Sequence, residues 1–422
     1  MKFKGEEIFF VDNTKNKDKV LLYAPLRSYL GVIDKKTKSR IENKDEIVLQ
    51  DIFKVFESKK KIDINQALKE IQESTPELAL SLTDNCNLKC LYCHASAGDS
   101  HKTGEMSKEI VLSVVQQYFN QLPKDTEKVV INIAGGGEPT YNFPLFEYTV
   151  ELCKEIAKNK NIKHTSFRLA TNGFYGDTIR QYLLENFDNI SLSFDGIEEV
   201  QNLHRPTKNG KESFSTVFET AKYFFHKKAK MAFRVTVSDF SLNKLKMISD
   251  FFCEHFPNMS VGIEALTPNG RAEKCKVIRQ PDKKEFAKKL LELFEYAKNK
   301  PIRFNNSASS EFNNIRPVFC SSVGIPNWTV SVDGNIYACT RDNMPDVFRF
   351  GKFDFDANKV VLEKDKIAVI RKMSVVNYPE CQDCFCKYHC AGDCPDRRLT
   401  DKLDCDSIRE IGAYFLNNKI NN

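Results

Sequence analysis

The sequence has no apolar run that is long enough to cross a membrane, and its mean hydropathy is −0.43. Its amino terminus has only a four-residue apolar patch, at residues 8–11, which is too short for the core of a signal peptide. These absences exclude a membrane-spanning protein and a protein that is exported by a signal peptide. We therefore expect a soluble protein in the cytoplasm.

The sequence also lacks a strong charge of either sign. It has 63 basic and 57 acidic residues, a net charge of +6, and no basic stripe interleaved with aromatic residues. The lysine run at residues 59–61 is typical of a solvated surface. We therefore expect neither a nucleic-acid partner nor a membrane partner.

The sequence is rich in cysteine, with 14 in 422 residues. Clustered thiols in a long chain without an export signal indicate a reducing compartment and metal or iron–sulfur ligation rather than disulfides. Three of them stand in the segment Cys86-Asn-Leu-Lys-Cys90-Leu-Tyr-Cys93. A closed structural metal site needs four ligands, so three thiols leave one position of a metal centre open to a ligand that takes part in chemistry.

Strand-like and helix-like segments alternate from residue 78 onward. This alternation predicts parallel strands joined by right-handed crossovers, and six such units suit an open or partial barrel. The cysteine loop follows the first strand, and loops at the carboxyl ends of such strands build active sites. The predicted strands are residues 78–83, 129–133, 167–170, 190–194, 232–237 and 261–266.

The predicted fold is therefore α/β, a partial (β/α)6 TIM-like barrel with a smaller region on each side. The amino-terminal region contains two predicted strands and a helix, and the carboxyl-terminal region holds eight of the 14 cysteines, so metal centres are expected to organise it. Four regions are predicted: a small module at 1–75, the barrel at 76–270, a bridging helical region at 271–315 and a cysteine-rich domain at 316–422.

A glycine-rich turn follows the second predicted strand. Residues 134–140 read Ala-Gly-Gly-Gly-Glu-Pro-Thr. Glycines at a strand end let a ligand approach bare backbone, and a neighbouring carboxylate suits a cation such as an ammonium group. One strand away from a three-cysteine loop, such a turn favours a binding role over a simple bend.

Together, CNLKCLYCHASAG and the later GGGEPT resemble the radical S-adenosylmethionine (SAM) superfamily. The resemblance implies that Cys86, Cys90 and Cys93 bind three irons of a [4Fe–4S] cluster, whose fourth iron chelates the amino and carboxylate groups of SAM. Its implied product is a 5′-deoxyadenosyl radical that abstracts hydrogen from an unactivated carbon. The resemblance also implies contacts with SAM. Tyr92 would meet the adenine edge, and the amino group would be held by Gly136, Gly137 and Glu138. Residues at later strand ends would meet the ribose and carboxylate, namely Asn172, Ser193, Asp195, Arg205 and Arg234.

The cysteines of the carboxyl-terminal third resemble the SPASM extension of radical SAM enzymes, which holds two auxiliary [4Fe–4S] clusters. The resemblance implies an outer cluster on Cys381, Cys384, Cys390 and Cys405, and an inner cluster on Cys320, Cys339 and Cys394. A zinc ribbon at the Cys381-x2-Cys384 pair is the alternative interpretation.

One further thiol, Cys275, follows the sixth predicted strand and is our candidate catalytic residue. It could donate a hydrogen atom, complete the inner cluster, or be a plain structural cysteine, because residues 312–319 contain no cysteine that would complete that cluster. Cys153, Cys253 and Cys386 are expected to be core or bystander thiols.

The resemblance implies an enzyme that modifies a ribosomally made precursor peptide, most simply by a crosslink such as a thioether. A leader segment of the precursor would bind the amino-terminal module as an added strand, and a ferredoxin or flavodoxin would donate electrons. The alternatives are a formylglycine-generating enzyme of the anaerobic sulfatase-maturase type, a peptide epimerase and a non-catalytic electron carrier. Sulfatase maturases have an aspartate base where this sequence has Thr340, followed by Arg341 and Asp342.

Overall fold

The structure is a computed structural model, and it describes residues 2–3, 5–100, 103–308, 314–339, 346–400 and 403–420. In chain order its strands are β1 (Lys2–Phe3), β2 (Glu6–Glu7), β3 (Phe9–Asp12), β4 (Lys19–Ala24), β5 (Tyr29–Asp34), β6 (Leu78–Leu80), β7 (Lys128–Ile133), β8 (His164–Thr171), β9 (Asn189–Ser193), β10 (Met231–Val237), β11 (Ser260–Ala265), β12 (Arg303–Asn305), β13 (Trp328–Val330), β14 (Asn335–Tyr337), β15 (Arg349–Asp354) and β16 (Lys359–Leu362).

The α-helices of the described residues are α1 (Lys35–Glu42), α2 (Glu46–Glu57), α3 (Ile64–Glu73), α4 (Lys108–Gln121), α5 (Phe143–Asn159), α6 (Asp177–Asn186), α7 (Glu198–His204), α8 (Phe214–His226), α9 (Asp239–Leu242), α10 (Leu245–His255), α11 (Arg271–Lys274), α12 (Lys283–Ala297), α13 (Ser321–Gly324), α14 (Lys364–Arg371), α15 (Lys387–Cys390), α16 (Pro395–Leu399) and α17 (Cys405–Lys419). In the part of the chain that the structure describes, no helix is both long and apolar enough to cross a membrane.

The chain divides into two compact units. The barrel unit comprises Thr75–Asn305 and Ile325–Ile370, and the cysteine-rich unit comprises Met1–Ser74, Asn306–Gly324 and Arg371–Asn422. The cysteine-rich unit therefore combines the two ends of the sequence. The four regional boundaries proposed from the sequence stay predictions.

The barrel unit is built on one sheet in the order β12-β11-β10-β9-β8-β7-β6-β13-β14-β15-β16. The strands from β12 to β13 in this order run parallel, and β14 to β16 are antiparallel. The predicted α/β architecture with parallel strands is confirmed, and each of the six predicted strands is present. Two further parallel strands, β12 and β13, were not predicted.

Strand burial explains how the sheet presents its polar residues. In β10, Phe233, Val235 and Val237 are buried, whereas the alternate Arg234 is exposed. Successive side chains of a strand point to opposite faces, so one face of this strand packs into the core while the other carries polar groups. The carboxyl ends of the parallel strands lie at one edge of the sheet, and the loops that follow them build the candidate site.

The cysteine-rich unit contains an antiparallel sheet in the order β3-β4-β5. One core joins Ile8 and Leu22 to Ile41, Leu49 and Phe56 of α1 and α2. A second core joins the other side of the sheet to the carboxyl-terminal helix, with Leu21 and Leu416 both fully buried. Lys387 is almost fully buried and forms an ion pair with Glu7 at 2.7 Å. Packing therefore makes the amino-terminal module and the carboxyl-terminal cysteine region one body.

Candidate active site

The three cysteines of the 86–93 loop share one buried cluster. Cys86 is buried beside Leu88 and Ala97, and Cys90 and Cys93 pack against the same cluster. Burial raises the pKa of the Cys90 thiol to about 11 and raises the pKa of the Cys86 thiol further. Neutral thiols in such surroundings become thiolates when a metal replaces their protons, so these residues fit the cluster that the sequence predicts.

The glycine-rich turn after β7 lies directly against the start of this loop. The Gly137 and Glu138 amides donate hydrogen bonds to the Thr83 and Asn85 carbonyls, at 2.7 and 2.9 Å. A Cβ on Gly137 would lie 1.9 Å from the Asn85 carbonyl oxygen, and one on Gly136 would lie 2.8 Å from the Thr83 oxygen. Close contact with the cysteine loop therefore requires glycine at both positions.

Substituting Gly137 with alanine should disrupt the site. The methyl group has no room beside the Asn85 carbonyl, so the turn must move away from the cysteine loop. We expect the affinity for SAM to fall by at least about tenfold, which corresponds to about 1.4 kcal/mol. Equilibrium dialysis measures this affinity. Gly176→Ala is the matched control because no atom lies within 4 Å of the added Cβ. Equal affinity in the two variants would contradict this account.

Glu138 is a buried carboxylate whose oxygens already accept hydrogen bonds from the protein. Oε1 accepts from the hydroxyls of Thr140 and Thr171, at 2.9 and 2.8 Å, and Oε2 accepts from the main-chain amide of Asn172 at 2.7 Å. Burial raises the pKa of this carboxyl, and the same hydrogen bonds oppose that rise. Glu138 thus joins the turn after β7 to the end of β8.

Asn172 extends this connection to the cysteine loop. Its side-chain amide lies 3.6 Å from the Cys86 sulfur and donates to the Asn87 side-chain oxygen at 2.8 Å. Its own side-chain oxygen accepts from the Phe174 amide at 2.8 Å. The residue predicted as a SAM ligand is therefore next to a predicted cluster ligand.

Asp195, after β9, is the centre of a second buried network. Its Oδ2 accepts from the Tyr92 hydroxyl at 2.5 Å and from the Arg205 Nε at 2.9 Å, and it lies 3.2 Å from His204 Nδ1. The Arg205 guanidinium also lies over the Tyr92 ring, 5.0 Å from its centroid. Three of the residues predicted to contact SAM are thus brought together, and His204 joins them.

Charge dominates this network. Burial alone would raise the pKa of Asp195, but the Arg205 charge and His204 hold it well below its usual range. Burial raises the pKa of Tyr92 well above its ordinary value. The network is therefore a carboxylate–guanidinium pair at neutral pH, and it fixes the aromatic ring between the second and third cysteines.

Ser193 and Arg234 lie beside each other on neighbouring strands. They are directly paired in the parallel ladder between β9 and β10. The exposed Arg234 side chain extends over Gly262 of β11, where a Cβ would lie 3.0 Å from its Nη1 atom. These two positions share a region of the sheet with Asp195, but their predicted contacts with SAM stay predictions.

The sequence interpretation missed Arg271, the first residue of α11. Its guanidinium donates to the Cys90 and Ala97 carbonyls at 2.7 and 2.6 Å and pairs with Asp99 at 2.9 Å, while its amide donates to the Cys93 carbonyl at 2.9 Å. These contacts hold the cysteine loop at four points. A guanidinium with several donors suits this task, but an isolated arginine gives no signal of it in a sequence.

Cys275, four residues after Arg271, packs in a cluster with Leu91 and Tyr92 of the cysteine loop. It is therefore near the candidate site, as the sequence suggested. Its role as a hydrogen-atom donor or cluster ligand stays a prediction. Cys153 is fully buried within α5, as expected of a core thiol.

The four cysteines predicted to bind the outer cluster all belong to the cysteine-rich unit. Burial raises the pKa of the Cys390 thiol to about 12, with further contributions from Asp393 and from neighbouring Cys384, Cys381 and Cys405. A hydrogen bond with Cys386 lowers the pKa of Cys384 to about 6, and Arg409 contributes. The assignment of these four thiols to one cluster stays a prediction.

The inner set stays a prediction. Cys320 and Cys394 belong to the cysteine-rich unit and Cys339 belongs to the barrel unit, while residues 340–342 lie outside the described residues. Among the residues that the structure describes, no three His, Cys, Asp or Glu side chains are grouped to hold a single metal ion; this is true of the predicted cluster cysteines as well, so the zinc ribbon stays an alternative interpretation.

Comparisons with known proteins agree with this geometry. A family model described as the radical SAM superfamily matches residues 80–251. The cysteine-type anaerobic sulfatase-maturating enzyme of Clostridium perfringens is 28% identical to this chain over 360 residues, which cover 80% of this chain and 94% of that enzyme. Residues 80–251, which the family model matches, contain the cysteine loop, the glycine-rich turn and the Asp195 network.

Two solved structures share the fold. Native anSMEcpe with bound AdoMet and Kp18Cys peptide has a TM-score of 0.65 and 23% identity, and covers 82% of this chain and 98% of its own. Streptococcus suis SuiB has a TM-score of 0.51 and 16% identity, and covers 94% of this chain and 96% of its own.

Proposed function

Because the chain carries a radical SAM domain, we propose that it cleaves SAM at the 86–93 loop and uses the radical to oxidise a residue of a peptide or protein. The enzyme uses SAM and a [4Fe–4S] cluster as cofactors, and its carboxyl-terminal cysteines fit auxiliary clusters. When bound, these groups supply an electron for reductive cleavage and a radical that abstracts hydrogen. The observation that carries the proposal is the shared buried cluster of Cys86, Cys90 and Cys93.

The residues around this loop have separate proposed tasks. The bare backbone of Gly136 and Gly137 holds the SAM amino group, and Glu138 keeps that backbone in place because its oxygens already accept protein hydrogen bonds. Asp195 fixes Arg205 and Tyr92, so that the guanidinium is ready for the SAM carboxylate and the ring for the adenine. Pre-organised groups of this kind reduce the entropy lost on binding.

We assign the oxidation to the sulfatase-maturase class rather than to thioether formation. The relative from Clostridium perfringens is a cysteine-type sulfatase-maturating enzyme, and the similar anSMEcpe structure holds a peptide. In this reaction a substrate cysteine becomes formylglycine. The family's aspartate base is replaced by Thr340 in this sequence, so a group other than this residue must accept the proton of the substrate cysteine.

Crosslinking of a ribosomally made precursor peptide is the second candidate, and the amino-terminal module favours it. Strand β5 pairs with β4 on one side, and no other strand of the described residues pairs with it. An extended leader segment could add to its other side through main-chain hydrogen bonds. The module would then recognise the leader while the barrel modifies the core peptide.

A mass spectrum of the treated peptide distinguishes these reactions. We expect a peptide with the cysteine of a sulfatase motif to lose sulfur and gain an aldehyde that a hydrazide captures. A crosslinked precursor would instead lose two hydrogens and give no hydrazide adduct, and an epimerised one would keep its mass and take up solvent deuterium. A peptide with alanine in place of the cysteine is the control. An unmodified sulfatase peptide together with a crosslinked precursor would overturn the first assignment in favour of the second.

A further inference from the structure

The parallel sheet of the barrel unit has one face that carries polar and small side chains. In β11, Val261 and Ile263 are fully buried, so the alternate residues Gly262 and Glu264 lie on the opposite face. Directly paired residues of parallel strands point to the same side of a sheet, so the register extends this face to the neighbouring strands. We call it the polar face and define it by Ser193, Arg234, Thr236, Gly262, Glu264 and Asn305.

A cavity of about 510 Å³ adjoins the polar face. Its walls include Ala170, Ser191 and Ala232, whose small side chains leave space on the sheet. Ser191 and Ala232 precede Ser193 and Arg234 by two residues on their strands, so the cavity and the polar face lie on one side of the sheet. Ligand pockets commonly have a volume of this order. The sheet therefore offers room for part of a substrate.

Glu264 lies at the end of the polar face that meets the candidate site. It is the second-last residue of β11, and the site is built at the carboxyl ends of these strands. Its partner on β10 is Thr236, whose main-chain amide donates to Asp195 Oδ1 at 2.9 Å. Because neighbouring strands are about 5 Å apart, about 10 Å separates β11 from β9, which Asp195 follows. The Glu264 carboxylate is therefore near the groups that we propose to hold SAM.

The protein already occupies the acidic groups described above. Glu138 is 2% exposed and its oxygens accept hydrogen bonds, while Asp195 is fully buried against Arg205. His204 is fully buried as well. Glu264, in contrast, is partly exposed on the polar face. Of these titratable groups, Glu264 is the one that a substrate can reach.

We propose that Glu264 is the base that accepts the proton of the substrate cysteine. This inference rests on the proposed function, in which a hydrogen atom passes from the substrate Cβ to the 5′-deoxyadenosyl radical. The resulting carbon radical then loses one electron to an auxiliary iron–sulfur cluster, and its S–H proton passes to the Glu264 carboxylate. A C=S bond forms, which water hydrolyses to the aldehyde and hydrogen sulfide. A carboxylate is ionised at neutral pH and is therefore ready to accept this proton.

The first test replaces Glu264 with glutamine and uses a peptide with the cysteine of a sulfatase motif, deuterated at Cβ. We expect aldehyde formation to fall by about hundredfold or more, since a general base contributes that much to a rate. Deuterium should still pass into 5′-deoxyadenosine, because hydrogen abstraction precedes the proton transfer. Glu254→Gln is the matched control, because it makes the same change at an exposed position of α10, and it should leave aldehyde formation unchanged.

A selenocysteine peptide separates the role of a base from a structural role. Its selenol is ionised at neutral pH and has no proton to give up. We therefore expect Glu264→Gln to convert this peptide to the aldehyde at a rate close to that of the wild type. If the selenocysteine peptide stayed unconverted, or if deuterium transfer were lost together with the aldehyde, Glu264 would not be the base.

A disulfide trap tests the position of Glu264 without any turnover. In Glu264→Cys, the new thiol should displace thionitrobenzoate from a peptide whose cysteine carries it as a mixed disulfide. Mass spectrometry of the reconstituted protein locates the adduct. Ser260→Cys is the matched control, because Ser260 lies on the same face of β11 but about 13 Å away, at the amino end of the strand. An adduct as abundant in Ser260→Cys as in Glu264→Cys would overturn the proposal.

These results distinguish the base from the proposed function. Aldehyde formation at the wild-type rate by Glu264→Gln would overturn the base and leave the proposed function in place. A specific Glu264→Cys adduct, together with no aldehyde from the wild-type enzyme, would support Glu264 as the partner of the substrate thiol and contradict the proposed oxidation.

Discussion

Replacing Cys86, Cys90 and Cys93 together with alanine is expected to abolish the formation of 5′-deoxyadenosine from SAM. The three thiols share one buried cluster and no other predicted ligand set contains them, so their loss removes the centre that accepts the electron. Iron should fall without reaching zero, because Cys381, Cys384, Cys390 and Cys405 belong to the other compact unit and are unchanged. The measurements are 5′-deoxyadenosine by chromatography and the iron and sulfide content of the reconstituted variant.

Cys153→Ala is the matched control for the loss of a buried thiol. Cys153 is more deeply buried than Cys86 but lies within α5, and burial alone raises its pKa. This variant should keep both its iron content and its SAM cleavage. Cleavage by the triple variant at a rate similar to that of Cys153→Ala would contradict the assignment of the loop.

Replacing Asp195 with alanine is expected to lower the free energy of unfolding by about 3–5 kcal/mol, because it leaves the buried Arg205 charge without its partner. The methyl side chain also removes the acceptor of the Tyr92 hydroxyl and of the Thr236 amide. Because the pKa of Asp195 is held far below its usual value, its contribution is present above the ordinary pKa of an aspartate. It is lost as the pH falls from there through the lowered pKa.

Urea unfolding at pH 7 measures this loss. The control is Asp177→Ala, since Asp177 is mostly exposed in its pair with Arg180 and contributes no more than about 1 kcal/mol. Below the lowered pKa the wild-type protein should approach the stability of Asp195→Ala. An Asp195→Ala variant that unfolds at the same urea concentration as Asp177→Ala would show that the network does not stabilise the barrel unit.

The sequence predicted the sheet well where the apolar pattern is long. Strands β7 to β11 have five to eight residues each, and all of them stand where alternation and apolar runs placed them. Strands β12 and β13 have three residues each, so their place at the two ends of the parallel set depends on tertiary packing. The sequence also does not reveal that both ends of the chain belong to one compact unit. That unit depends on tertiary contacts, such as Lys387 with Glu7, between residues far apart in sequence.

Motifs identified the candidate site, but not what each residue does in it. The glycine-rich turn was predicted to approach a ligand, and the structure shows that its glycines also allow contact with the cysteine loop. Glu138 was predicted to meet an ammonium group, which stays a prediction, and the structure adds that its oxygens accept hydrogen bonds from Thr140, Thr171 and Asn172. Arg271 has no pattern around it that would indicate four contacts to the loop. Side-chain partners of this kind depend on loop geometry, which local sequence does not determine.

The most direct test of the central claim is the formation of 5′-deoxyadenosine by the reconstituted wild-type protein. The protein, loaded with iron and sulfide under anaerobic conditions, is incubated with SAM, dithionite and a candidate peptide. We expect 5′-deoxyadenosine and methionine in equal amounts, with none from the variant that lacks Cys86, Cys90 and Cys93. A protein that binds iron and sulfide but yields no 5′-deoxyadenosine with any peptide would contradict it.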